Sequence, residues 1–337
     1  MLQTPEPIAE QQGVDAQALP AAIAQARHPI VFRGLVNDWP AVRAARASTA
    51  AAIAYVRGFY RDATVGAMLG EPAIRGRFFY GADLKSFNFS SVRVRLDTLL
   101  DDIERHADDP LPPAIYVGST TVDTCLPGFR GENDLRFGHV EPLASVWIGN
   151  RARIAAHQDV PDNLACAVAG RRRFTLFPPD QLDNLYIGPL DFTPAGQAIS
   201  LVDFIAPDLE RFPRFATAMR YARVAELEPG DAIYLPSLWW NHVESIDDFN
   251  LLLNYWWRRS PAWMDTPMTA LMTAILSVRD LPPVERAAWH DIFRHYVFEA
   301  DDATAAHIPP QARSLLAPRD ADAARRLGAQ LLKRLNR

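Results

Sequence analysis

The residues best suited to chemistry are His157 and Asp159, separated by Gln158. Residues two apart on a β-strand point to the same face. This spacing therefore brings an imidazole and a carboxylate to one point. With a second imidazole from a distant strand, such a pair makes the facial triad that holds non-haem Fe(II) and leaves coordination positions free. A His-x-Asp pair on a strand is also an ordinary structural pair, so the chemistry turns on a third ligand. The segment that bears on it is Trp239-Trp240-Asn241-His242-Val243-Glu244-Ser245.

The elements that must position these residues are short and β-rich. From Ala114 to Trp257 runs such as AIYVGS, LASVWIGN, NLACAVAG, RRFTLFPP, ARVAELEPGDAIYLP, NHVESI and FNLLLNYWW alternate with Pro, Gly, Asp and Asn. Many short strands between turn signals predict a β-barrel or jelly roll. Upstream, residues 1–27 read as a loose arm with a short helix, and Ile30–Phe32 as a strand. Asp38 is placed to cap a helix with Pro40 in its first turn, running to about Tyr60. Thr64–Met68 and Arg77–Tyr80 have strand character, and Ser91–His106 reads as an amphipathic helix. Asp180–Leu190 and Asp203–Tyr221 read as insertions. After Trp257 the pattern is helical, with candidates at Pro261–Val278, Pro283–Phe298 and Arg319–Arg337.

Composition narrows the function classes. The chain has 337 residues, 49% hydrophobic, with a net charge of −5. That is ample for a core and offers no global basic field for nucleic acid. No apolar run is long enough for a membrane span. The N-terminus lacks a basic start and an apolar segment, so no signal peptide and a cytoplasmic location are expected. Cys125 and Cys166 are too few for a disulfide framework and read as ordinary thiols. The only lysines are Lys85 and Lys333, so nearly all 35 basic residues are Arg. There is no P-loop, G-x-S-x-G or zinc-finger spacing. His139 and Glu141 read as surface residues. His290 and His295 are five apart, not the four of a helical metal pair. Trp239-Trp240 and Trp256-Trp257 most simply build the core.

The stretch HQDVPDNLACAVAGRRRFTLFPP, followed by EPGDAIYLPSLWWNHVESIDDFNLLLNYWW, resembles the cupin-like JmjC group of Fe(II)- and 2-oxoglutarate-dependent oxygenases, which includes asparaginyl hydroxylases and many bacterial members. HPIVFRGLVNDWP and IYVGSTTVDTCLPGF extend the resemblance over roughly residues 28–258. It implies a mainly β fold: a double-stranded β-helix (jelly-roll) core at 111–258, an N-terminal arm and covering elements at 1–110, and a helical C-terminal region at 259–337, through which some members dimerise.

Carried over residue by residue, the resemblance implies metal ligands at His157 and Asp159. It implies cosubstrate-side residues at Asn163 and Asn254, and a Tyr for the distal carboxylate of 2-oxoglutarate at Tyr116. Three positions depart. Where the family has a Lys two residues after a Gly, this chain has Arg172 after Gly170. Arg binds a carboxylate bidentately but is longer and planar. Where many members have a Thr three residues before the His, this chain has Ile154, which donates no hydrogen bond. The slot of the last ligand His holds Asn241, and His242 comes one residue later. One residue of shift reverses side-chain direction on a strand unless a bulge re-aims it. Three alternatives stand: His157, Asp159 and Asn241 form the site, a bulge restores His242, or the metal is weak or absent.

The expected function is an Fe(II)- and 2-oxoglutarate-dependent hydroxylase acting on a protein or small molecule, without nucleic-acid or membrane partners and with a homodimer through the C-terminal helices. The alternative is a cupin-fold binding module that has lost catalysis, signalled by Ile154, Arg172 and Asn241 around one pocket.

Overall fold

The computed structural model describes residues 2–138, 141–194 and 196–336, and the expectation for His139 lies outside them. The chain divides into two compact units, Met1–Arg259 and Ser260–Arg337.

The first unit is a pair of facing sheets. Among the described residues, one has six strands in the order Glu6–Pro7, Arg223–Leu227, Arg172–Phe177, Trp240–Ser245, Arg153–Gln158 and Arg77–Phe78. The other runs Ala9–Gln12, Ile30–Arg33, Ala232–Leu235, Asp162–Ala169, Asn250–Trp257, Leu143–Gly149, Ala114–Thr121, Thr64–Gly70 and Ser90–Arg95. Strands close in sequence cross between the sheets, which is the jelly-roll arrangement expected.

Side-chain alternation explains how this arrangement opens a cavity. In Asn250–Trp257, Leu251, Leu253 and Tyr255 enter the large core shared with the helices, whereas Leu252, Asn254 and Trp256 face the space between the sheets. Asp162–Ala169 repeats the pattern, with Leu164, Cys166 and Val168 in that core and Asn163 toward the cavity. Each apolar side chain fully buried on the outer layer stabilises by about 1.5–3 kcal/mol. The sheet is thus held from its back, and its front is left free to carry polar groups.

Gly170 sets the register of the strand that follows. Its φ is +70°, and an added Cβ would lie 2.4 Å from the Phe249 carbonyl oxygen. Only glycine fits this tight turn without strain. The Arg172–Phe177 strand then pairs with Trp240–Ser245, Arg172 opposite Ser245 and Leu176 opposite Asn241.

Several local expectations are corrected. The N-terminal arm is not loose: Glu6 and Pro7 pair in parallel with Arg223 and Val224, and Ala9–Gln12 with Ile30–Arg33. These are edge pairings of backbone by polar residues, which carry no hydrophobic signal. The helix after Asp38 is two helices, Pro40–Ala47 and Thr49–Gly58. Trp39, not Asp38, is the first cap, and Ser48 breaks the run by accepting from the Ala51 amide. The Ser91–His106 segment is a strand, Ser90–Arg95, followed by a helix, Leu96–Arg105. The run Ser-Val-Arg-Val-Arg alternates with the period of two of a strand, and Thr64–Gly70 offers it a pairing edge.

The second unit holds helices Pro267–Ser277, Pro283–Phe293 and Ala321–Leu335. None buries a residue, and Leu276, Val284 and Phe298 are exposed by 76%, 83% and 77%. No helix among the described residues is long and apolar enough to cross a membrane.

Candidate active site

A cavity of about 560 Å³ lies between the sheets, and His157, Asp159, Asn163, Tyr116, Arg172, Asn241 and Asn254 all line it. His157 is the next-to-last residue of the Arg153–Gln158 strand, and Asp159 directly follows that strand. The turn before the Trp240–Ser245 strand clamps this corner. The Leu238 amide donates to the Asp159 carbonyl at 2.9 Å, and Gln158 Nε2 donates to the Leu238 carbonyl at 2.6 Å.

The tautomer of His157 follows from its neighbours. Nδ1 lies 2.9 Å from the Ala155 carbonyl oxygen, which only accepts, so Nδ1 carries the proton. Nε2 then presents its lone pair, 4.0 Å from Asp159 Oδ1. A second ring nitrogen bonded to a carbonyl is how metal-binding histidines are held. Asn241 sits opposite His157 in the neighbouring strand. Its Nδ2 donates to the His157 carbonyl at 3.1 Å, which leaves the amide oxygen as the donor atom of that side chain. Among the described residues, no three His, Cys, Asp or Glu side chains converge as a metal site. The side chain next to His157 across the strand pair is the amide of Asn241.

His242 points elsewhere. The pairing of Asn241 with His157 and of Val243 with Ile154 does contain an irregularity, but it leaves Asn241 and Val243 lining the cavity and His242 outside it. His242 packs on Phe204, ring centroids 4.6 Å apart, and both its ring nitrogens are buried without a hydrogen-bond partner. Burial pushes its pKa down to about 3, so the ring is neutral.

The other end of the cavity is cationic. Arg172 is 1% exposed, and its Nε and Nη2 have no hydrogen-bond partner among the described residues. Burial lowers its pKa, which the neighbouring Tyr116 hydroxyl opposes. Burial in turn raises the Tyr116 phenol to about 12, with Arg172 drawing it back. An unpaired buried guanidinium is costly unless an anion completes it. These residues fit a ligand carboxylate. Arg171 and Arg173, on the other face of the strand, pair instead with Asp247 and Glu226 at the surface.

Two amides lie between the ends. Asn254 Nδ2 donates to Asn163 Oδ1 at 2.9 Å, and Asn254 Oδ1 is buried without a partner. The rim is formed partly by Pro194, Gly196 and Gln197. Nearby, Phe192 stacks on Phe87 at 4.5 Å, and the Tyr80 hydroxyl donates to the Phe192 carbonyl at 2.7 Å. Sequence reasoning missed this rim and also Trp147, which lines the cavity between Tyr116 and Trp256, at 6.0 and 6.1 Å between ring centroids. Trp147 stands in an apolar strand with no motif around it. The signal available was its place two residues before Gly149 in a strand whose alternate residues, Val146 and Ile148, belong to the core. Glu141, His290 and His295 are not among the cavity residues.

A family model described as a cupin-like domain matches residues 16–262. HSPB1-associated protein 1 of Homo sapiens is 32% identical over 165 residues, 48% of this chain and 32% of the relative. Its homolog in Danio rerio is 32% identical over 146 residues, 43% and 30% of the two chains. The tRNA wybutosine-synthesizing protein 5 of Gallus gallus is 36% identical over 106 residues, 32% and 30%. The aligned part thus spans about a third of the length of these relatives.

Proposed function

This chain belongs to the cupin-like domain family, in its JmjC-type branch, and from that premise we propose that it is an Fe(II)- and 2-oxoglutarate-dependent oxygenase of the hydroxylase type. The observation that carries the reading is the polarity of one cavity: a His–carboxylate pair with a bare imidazole nitrogen at one end, and an unpaired buried guanidinium at the other. A short 2-oxo diacid has the matching groups, a chelating keto acid and a distal carboxylate.

In this reading His157, Asp159 and the amide oxygen of Asn241 hold the metal. Arg172 and Tyr116 receive the distal carboxylate, where charge-assisted bonds in a buried site are strong. Asn163 and Asn254 orient the oxo acid. Burial of these groups strengthens the electrostatic contacts they make. Fe(II) held there supplies oxygen-dependent C–H hydroxylation coupled to decarboxylation of 2-oxoglutarate, while the protein contributes positioning and electrostatics. The substrate class is a protein side chain or a small molecule. One relative is named for tRNA wybutosine synthesis; the net charge of −5 favours the other classes for this chain.

Asn241 favours a second reading. A neutral amide is a weaker donor than imidazole, and a protein that kept the anion pocket while losing the metal would be an oxo-acid-binding module. Anaerobic calorimetry separates the two. The oxygenase reading expects Fe(II) and 2-oxoglutarate to bind, each strengthening the other. Binding of 2-oxoglutarate indifferent to Fe(II) supports the module, and binding of neither overturns both.

A further inference from the structure

Trp147 holds a polar atom that neither the metal nor the amide pair accounts for. Its indole Nε1 is buried without a hydrogen-bond partner, as are Nε and Nη2 of Arg172. Both residues line the same cavity. Tyr116 lies between them, next to the Trp147 ring and beside the Arg172 guanidinium. Buried indole N–H groups ordinarily find an acceptor; Trp147 and its cavity neighbour Trp256 both lack one among the described residues, and of the two it is Trp147 that packs beside Tyr116. Arg172 Nε and Nη2 and Trp147 Nε1 are thus donors without an acceptor among the described residues, and the Tyr116 hydroxyl between them is itself bonded to the guanidinium.

The neighbour that completes the argument is Ile154. It packs in the same small cluster as Tyr116, Trp147 and Phe78, lines the same cavity, and brings no hydrogen-bonding group. Within that cluster the hydrogen-bonding side-chain groups are the Tyr116 hydroxyl and the indole N–H.

We propose that Trp147 is a specificity-determining residue whose indole N–H donates to the distal carboxylate of a 2-oxo diacid, supplying the neutral donor that Ile154 does not. The proposal rests on the oxo-acid reading of the cavity. The carboxylate has four lone-pair positions. Arg172 fills two in a bidentate pair, and Tyr116 and Trp147 take one each. The ring of Trp147 also forms the floor beneath Tyr116. The pocket would thus reject a 2-oxo acid that ends in a methyl group, because the donors of Arg172 and Trp147 would be left unpaired.

The test compares wild type, Trp147→Phe and Trp147→Phe/Ile154→Thr by anaerobic calorimetry with 2-oxoglutarate, in the presence of Mn(II) as a redox-inert metal. The ring of Phe keeps the packing and loses the donor. One hydrogen bond to a charged acceptor predicts about tenfold weaker binding in W147F and partial recovery in the double variant. The monocarboxylate 2-oxopentanoate should bind weakly to all three, with no effect of W147F. In parallel, ¹⁵N-indole spectra of wild type should show one Trp side-chain resonance moving on addition of 2-oxoglutarate and absent from W147F. This second measurement keeps the test decisive if W147F folds poorly. Equal affinity in wild type and W147F, or an unmoved Trp147 resonance in a wild type that binds, overturns the role of Trp147 alone. No binding by wild type removes the oxo-acid reading beneath it.

Discussion

Replacing Arg172 by Met should make the ligand-free protein more stable and the liganded protein less so. Arg172 is 1% exposed and two of its nitrogens, Nε and Nη2, lack partners. Each unsatisfied buried polar group costs about 1–3 kcal/mol. Water entering the cavity offsets part of this, and Met keeps most of the apolar stem. The expected net gain is about 1–3 kcal/mol, a rise in melting temperature of a few degrees. The opposite holds for binding. Removing one partner of a buried charge pair costs about 3–5 kcal/mol, so 2-oxoglutarate should bind at least about 100-fold more weakly. Thermal melts with and without 2-oxoglutarate should therefore cross: wild type gains stability with ligand by mass action, and R172M starts higher and gains nothing. A less stable R172M, or one still stabilised by 2-oxoglutarate, would refute the view that this guanidinium is held unpaired for an anion.

Other consequences follow from the remaining site residues. Asn241→His should raise Fe(II) affinity by about 10- to 100-fold in anaerobic titration, the scale of a change at a metal's supporting ligands, whereas His242→Ala should leave it unchanged because His242 lies outside the cavity. For His242 the folded pKa is depressed to about 3 from 6.5, so the unfolded chain takes up the proton first. Stability should be full above about pH 6.5 and fall by a few kcal/mol as pH drops toward 3; His242→Phe should flatten that part of the pH–stability curve, measured by urea denaturation. The exposed Leu276, Val284 and Phe298 add apolar area to the surface of the second unit, and exposed apolar area marks association sites. We propose that it joins two copies of the chain, so Leu276→Glu with Val284→Glu should halve the mass seen by sedimentation equilibrium, and an unchanged mass would dismiss that interface.

Much of the jelly-roll was legible because its strands are short, rich in apolar and β-branched residues, and bounded by Pro, Gly, Asp and Asn. In Asn250–Trp257 the period of two alone separates core residues from cavity residues. The same rule separates Asn241 from His242, and Arg172 from its neighbours Arg171 and Arg173. What stayed hidden depends on pairing partners distant in sequence. The arm at Glu6–Gln12 joins both sheets through backbone bonds, which leave no trace in side-chain type. The strand Ser90–Arg95 alternates Val with Arg, a short period-two signal hidden by the longer helical pattern of Leu96–Arg105 that follows it. Trp147 reads as one more core aromatic until the lack of a partner for its N–H is seen in three dimensions.

The most direct test of the central claim is a crystal structure grown without oxygen in the presence of Mn(II) and 2-oxoglutarate, with anomalous scattering collected to locate the metal. The account predicts an anomalous peak within bonding distance of His157 Nε2 and the Asp159 carboxylate, and continuous density from that peak to a carboxylate against Arg172. A cavity without metal or diacid at saturating concentrations, or a diacid bound away from Arg172, would contradict it.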